Sequence, residues 1–201
     1  MKIMFIDTET TGVDHNFNAL IQVAGILYDR TDDALQELER FNFKIRPFAS
    51  DIIESKALEV NNMTMDEILE FPPPEEVYPK LVNIFNKYVE KYNRKDKFIF
   101  AGYNAQFDYN FLRRFLKKNS DNYFGSYFHF PPLDIMNLLC FFLHERRNEL
   151  NNFKLKTVCE YLNLSPPEGK WHDAMTDIEM TLQLYLFLGY HMLPKNYLVK
   201  D

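Results

Sequence analysis

Near its start the chain carries Ile3-Met4-Phe5-Ile6, an apolar run that ends at a carboxylate, Asp7, followed by Thr8 and Glu9. A short run of this kind predicts a buried strand over Lys2–Ile6 whose last residue reaches a site, with Thr10-Thr11-Gly12 as the turn beyond it. Residues i and i+2 of a strand share a face, so Asp7 and Glu9 would project together from its end. Two like charges held that close are costly unless a cation sits between them. Hard carboxylate oxygens suit Mg²⁺ or Mn²⁺ rather than thiophilic metals. Taken alone, the Asp-x-Glu pair is better explained by a turn, with Asp7 capping it and Glu9 solvated.

The remaining chain supplies partners for such a strand. Leu20–Tyr28 and Leu38–Ile45 are apolar or alternating runs separated by the polar segment Asp29–Asp33, which predicts antiparallel strands in a meander with the first. Beyond Pro47 the pattern turns helical: short helices over Asp51–Leu58 and Met63–Leu69, a breaker at Phe71-Pro72-Pro73-Pro74, and a longer helix from Glu75 to about Tyr92. A buried strand over Phe98–Gly102 and a helix over Phe107–Lys118 follow. Phe128–Leu133 should lead a last strand into a helix near Asp134, with two more helices around Leu155–Leu162 and Asp173–Tyr190. A meander followed by strand–helix alternation is an α/β fold with a mixed sheet. No segment resembles a long linker, so residues 1–201 read as one domain.

Composition excludes several classes. The chain is 46% hydrophobic with 19 Phe and 12 Tyr, a globular balance with most rings destined for the core. No apolar run approaches the roughly 20 residues that cross a bilayer, and the early Asp7 argues against a secretory signal. Two cysteines make neither a disulfide framework nor a structural zinc site. A soluble, reduced, cytoplasmic protein is expected. The formal net charge of −6 disfavours a protein that coats a duplex. Carboxylates that bind two divalent cations would offset four of those charges, and a protein that grips only a strand end needs few phosphate contacts.

Two further segments carry polar residues at element starts. Asn104-Ala105-Gln106-Phe107-Asp108 places Asp108 just after a strand at the start of a helix. There it could simply complement the helix dipole, and Asn104 could satisfy loop backbone. Trp171-His172-Asp173-Ala174-Met175-Thr176-Asp177 puts His172 before the last helix and Asp177 in its first turns, where Asp173 could cap and Asp177 could serve the dipole. Each reading holds singly. Jointly, the order Asp-x-Glu-x-x-Gly, Asn-x-x-x-Asp, His-x-x-x-x-Asp with each segment at a strand end or helix start is not explained by caps and turns.

On these three motifs, from about Met1 to Tyr190, the sequence resembles the DEDDh subfamily of the DnaQ-like 3′–5′ exonucleases, within the RNase H-like superfamily. The resemblance implies a mixed five-stranded sheet, an antiparallel meander then parallel strands, flanked by helices. It implies two Mg²⁺ (or Mn²⁺) ions held by Asp7, Glu9, Asp108 and Asp177, with His172 as general base. It also implies backbone contacts to a terminal nucleotide from Thr8, Thr10, Thr11 and Gly12 and a polar contact from Asn104; apart from the resemblance, Trp171, beside His172, is the candidate stacking or loop-ordering residue. The expected reaction releases nucleoside 5′-monophosphates from nucleic-acid 3′ ends, single-stranded or frayed DNA in preference to short RNA, acting alone or beside a polymerase. An oligoribonuclease-like or RNase T-like enzyme shares the cage, and a silent binding module would have lost part of it. Asn61-Asn62 replaces a His-Gly pair usual in the family, and Asp134 reads equally as a support for the site or a helix N-cap.

Overall fold

A computed structural model of the chain describes residues 1–31, 34–166 and 174–192. The N-terminal run folds as β1 (Lys2–Thr10) and is the middle strand of a five-stranded sheet. On one side it pairs antiparallel with β2 (Leu20–Arg30), Met4 opposite Leu27 and Asp7 opposite Ala24. On the other it pairs parallel with β4 (Ile99–Gly102), Phe5 opposite Ala101. β3 (Leu35–Lys44) extends the antiparallel half and β5 (Leu133–Asp134) the parallel half, giving the order β3-β2-β1-β4-β5. The mixed sheet read from the sequence is therefore present.

Strand alternation sorts the core into two layers. Met4, Ile6, Val23 and Leu27 face α3 (Pro74–Tyr88) and α4 (Ala105–Lys118), meeting Leu81, Phe85, Tyr109 and Leu112. Much of the aromatic content collects here: the fully buried Phe85 ring lies 6.1 Å from Phe98, 5.3 Å from Tyr127 and 5.1 Å from Phe128. Tilted and edge-on pairs of this kind add about 0.5–1.5 kcal/mol each beyond the area they bury. Ile3, Phe5, Ala24 and Ile26 face the other way, against Ala174 and Ile178 of α8 (Ala174–Met192). α8 turns its far side, Met180, Leu184 and Leu188, to α6 (Ile135–Phe142) and α7 (Leu155–Tyr161).

Several boundaries differ from the sequence reading. β1 runs on to Thr10 because Asp7, Thr8 and Glu9 keep partners on β2, so both acidic residues lie inside the strand. The expected last strand over Phe128–Leu133 shrinks to Leu133–Asp134 plus a bridge between Phe98 and Phe128. Pro131 and Pro132 lack the amide hydrogens that a continuous ladder needs. The helix expected from Asp51 begins only at Ser55, as α1 (Ser55–Val60). The amides of Ile52 and Glu54 are drawn instead to the carbonyls of Phe17 and Thr11. α2 spans Met65–Leu69, held by a capping box between Thr64 and Glu67. α3 stops at Tyr88 because Val89 turns extended. α5 (Phe124–Tyr127) and a 3-10 turn over His144–Glu149 were not anticipated.

Candidate active site

The carboxyl ends of the parallel strands β1 and β4 meet the first turn of α4, the place where open α/β sheets present ligand sites. Gly102 allows the approach: a Cβ there would lie 3.0 Å from the carbonyl oxygen of Ile6, the residue before Asp7. Asp7 and Glu9 are half-buried on the α8 face of β1, opposite Ala24 and Gln22. Just beyond Glu9 the register slips, Thr10 facing Leu20, so β2 carries an extra residue, Ile21. Such a bulge bends the strand locally and re-aims the side chains beside it.

Thr8 points to the opposite face, that of α4. Its hydroxyl donates to Oδ1 of Asp108 at 2.6 Å, both side chains being buried. Asp108 occupies the first turn of α4 and is 4% exposed. Burial pushes its carboxyl up to about 7, and the charge of Glu9 pushes the same way, while the Thr8 hydrogen bond pulls it down. Glu9 and Asp108 thus sense each other across the end of the strand.

Asp177 lies in the first turn of α8, one residue before Ile178, which anchors the helix to the sheet. Thr181 donates its hydroxyl to the Asp177 carbonyl at 2.8 Å. On the far side of α8 the buried Cys159 thiol is pushed up to about 12, by burial first and then by the charge of Asp177. His172 and Trp171 lie outside the described residues.

The turn after β1 is tied inward. Thr10 donates its hydroxyl to the Gly12 carbonyl at 2.7 Å, and Thr11 donates to the Ile52 carbonyl at 2.7 Å. The Thr11 hydroxyl also accepts from the Ala19 amide at 2.8 Å, and the Thr11 amide donates to the Ala19 carbonyl at 3.0 Å. Thr11 is fully buried, so its part is to shape the turn. A Cβ on Gly12 would sit 2.3 Å from Oε1 of Glu54 and 2.4 Å from the Asn18 carboxamide, so no larger residue fits there unless both move. Asn61, in place of the family's His-Gly, donates its carboxamide to the Thr10 carbonyl at 3.0 Å and braces the same turn.

Asn104 takes the left-handed conformation, φ 61°, at the start of α4, with an exposed side chain that makes no bond to the helix. Its amide donates to Oδ1 of Asp134 at 3.2 Å, and the same oxygen accepts from the Met136 amide at 3.0 Å. Asp134 is therefore the N-cap of α6, and it fixes the starts of two helices at once. Sequence reasoning placed Thr8 among backbone contacts and missed its hydroxyl as the Asp108 partner. The strand period put Thr8 on the other face from Asp7, but its partner is 100 residues away and left no local signal.

The donors offered at this end of the sheet are carboxylate oxygens, the chemistry of Mg²⁺ and Mn²⁺. A divalent cation beside Asp108 and Glu9 would oppose both the burial and the repulsion that raise the Asp108 pKa, so the residues fit such an ion. Among the described residues no group of three or more His, Cys, Asp or Glu side chains is gathered in a metal-holding arrangement. The structure brings Thr8 and Asp108 together, with the charge of Glu9 close enough to raise the Asp108 carboxyl, and it sets Asp7 on the same strand face as Glu9, under α8.

The family model for the RNase T exonucleases, described as "Exonuclease", matches residues 4–185. Ribonuclease T of Buchnera aphidicola is 28% identical over 185 residues, covering 90% of this chain and 80% of its own. The PolC-type DNA polymerase III of Thermotoga maritima is also 28% identical, over 181 residues that make up 90% of this chain but 11% of the polymerase. Among solved structures, E. coli Exonuclease I in complex with a dT13 oligonucleotide superposes with a TM-score of 0.72 at 20% identity, covering 93% of this chain and 40% of that one. The Exonuclease I of Methylocaldum szegediense gives a TM-score of 0.74 at 18% identity, covering 98% and 42%. The chain thus spans less than half of each Exonuclease I.

Proposed function

Because the chain belongs to the DnaQ-like 3′–5′ exonuclease family, we propose that it hydrolyses single-stranded or frayed 3′ ends, DNA before RNA, releasing nucleoside 5′-monophosphates. The observation that carries the assignment to this site is the buried Thr8–Asp108 pair set against Glu9 at the end of β1. A carboxylate that costly to ionise is kept where a cation or a developing charge will meet it.

In this reading Asp7, Glu9, Asp108 and Asp177 hold two divalent ions. Bound there, Mg²⁺ or Mn²⁺ supplies Lewis-acid stabilisation of the attacking and leaving oxygens of a phosphodiester displacement. The hydroxyl of Thr8 occupies Oδ1 of Asp108 and so leaves Oδ2 as the oxygen that would meet a cation. His172 accepts a proton from water as the water oxygen bonds to phosphorus; the bond from phosphorus to the 3′ oxygen breaks, and that oxygen leaves with the shortened strand, taking a proton from solvent to become its new 3′ hydroxyl. The turn at Thr10–Gly12, braced by Asn61, and the exposed carboxamide of Asn104 border the terminal nucleotide.

The net charge of −6 supports an end-gripping enzyme over one that coats a duplex. Similarity to ribonucleases T over 80% of the Buchnera protein's length supports RNA 3′ ends as the second reading. The PolC-type match supports a polymerase-associated setting for the DNA reading. No helix among the described residues is long and apolar enough to cross a membrane. The deciding experiment offers 5′-labelled single-stranded DNA, duplex DNA and short RNA with Mg²⁺ or Mn²⁺. A ladder retreating from the 3′ end, fastest on single-stranded DNA, is expected; faster loss of the RNA selects the second reading, and internal cuts alone refute both.

A further inference from the structure

Helix α4 carries Asp108 in its first turn and, from two residues later, a stripe of Asn110, Arg113, Arg114 and Lys117. The spacing i, i+3, i+4, i+7 keeps these four on one helical face. Opposite them run His15 and Asn16, in the segment that continues the Thr10–Gly12 turn, and together the six residues line a groove of about 160 Å³. The His15 ring meets Phe111 edge-on at 6.2 Å and joins the two walls. Both walls are thus anchored at the end of β1. With a rise of 1.5 Å per residue, Lys117 lies about 14 Å along the helix axis from Asp108.

The groove is cationic in a chain whose net charge is −6. Among the described residues, Arg113, Arg114 and Lys117 enter no ion pair, whereas the neighbouring Lys118 is neutralised by Asp51. Asp14, the nearest acid in sequence to His15, turns its Oδ1 to the amide and carboxamide of Asn16 at 2.8 and 3.0 Å. Gln106 donates to Oδ1 of Asn110 at 2.9 Å, so it is the amino group of this lining residue that can donate to a ligand. Arg113 and Lys117 are exposed, and Arg114 is half-buried. The stripe lies on the outer face of α4, turned away from the face that buries Asp108 against Thr8, and the segment opposite it leads back through Gly12 to the end of β1. Unneutralised cations so placed suit a polyanion that runs over the outside of α4 while its end lies at the carboxylates.

We propose that this groove binds the sugar–phosphate backbone of the substrate strand on the 5′ side of the scissile bond, an inference that rests on the exonuclease reading of the site. Its contribution is to hold long substrates; the terminal linkage itself is handled at the carboxylates.

The test is the double variant Arg113→Ala/Lys117→Ala, bound to labelled oligothymidylate and oligouridylate of about a dozen nucleotides in EDTA and followed by fluorescence anisotropy across salt. Each lost phosphate contact should lower the salt slope by about 0.7 on a single strand, so the variant should lose about 7-fold less affinity than wild type between 50 and 200 mM salt. With Mg²⁺, kcat/KM should fall on the long strand and stay unchanged on a dinucleotide, and Arg113→Lys should retain the wild-type slope. An unchanged slope in the double variant, no binding of either oligonucleotide by wild type, or equal losses on long strand and dinucleotide would overturn the proposal. Failure of the exonuclease reading is seen separately, as a wild-type protein that shortens neither substrate while its binding in EDTA still judges the groove.

Discussion

Replacing Asp108 by asparagine should remove activity and yet make the metal-free protein more stable at neutral and alkaline pH. Asp108 is buried beside Glu9, and both facts favour its neutral form, holding the carboxyl at about 7 against an unfolded value of about 3.9. Between those two values the folded chain keeps a proton that the unfolded chain has released. Stability from this group is therefore complete below about pH 4, declines as pH rises to about 7, and is flat above. The shift of about 3 pH units, at 1.36 kcal/mol per unit, sets the difference at about 4 kcal/mol at most. The substituted carboxamide would carry no charge at any pH, and its carbonyl oxygen can still accept from Thr8. The assay is urea unfolding in EDTA at several pH values for both proteins. Carboxylates with lowered values, such as Asp96 and Glu37, act on both alike and cancel in the difference. Wild type minus variant should fall by about 1–4 kcal/mol between pH 4 and 7, and saturating Mg²⁺ should restore wild type selectively. Parallel pH profiles would refute the argument that burial and Glu9 together make this carboxylate costly to ionise.

Three other outcomes are expected. His172→Ala should cut the rate by about 10²–10⁴, the usual worth of a placed base, while the thermal shift on adding Mn²⁺ persists. Asp134→Ala should cost about 1 kcal/mol through loss of the α6 cap and should lower kcat as well, because the same oxygen holds the Asn104 amide at the start of α4; thermal melts and steady-state kinetics check the pair. Gly12→Ala should destabilise by about 1–3 kcal/mol in urea unfolding, since the new methyl meets Glu54 and Asn18 at 2.3 and 2.4 Å.

Element type was more legible than element length. The apolar runs at β1 and β2 announced themselves because each is buried on both faces, yet where β1 ended was decided by pairing with β2, a partner that a local window cannot see. Helix α1 was drawn too early because Asp51–Glu54 looks helical, while the long-range bonds of Ile52 and Glu54 hold it extended. The acidic residues were singled out through motif order. Their support was not: Thr8 reaches Asp108, Asn61 reaches Thr10, and Asp134 reaches Asn104 across 100, 51 and 30 residues, contacts that only the folded chain creates. The basic face of α4 was present in the helical spacing of residues 110–117, but its meaning depended on the His15–Asn16 segment that lies opposite it.

Whether one carboxylate set at the end of β1 performs 3′-end hydrolysis is tested most directly by Asp177→Asn, because Asp177 comes from a different element than Asp7, Glu9 and Asp108. Wild type and variant would be compared on 5′-labelled single-stranded DNA with Mg²⁺, after unfolding curves have established that both are folded. Wild type should give a ladder retreating from the 3′ end, and the variant an intact band. A folded Asp177→Asn protein that still shortens the strand at the wild-type rate would contradict the claim.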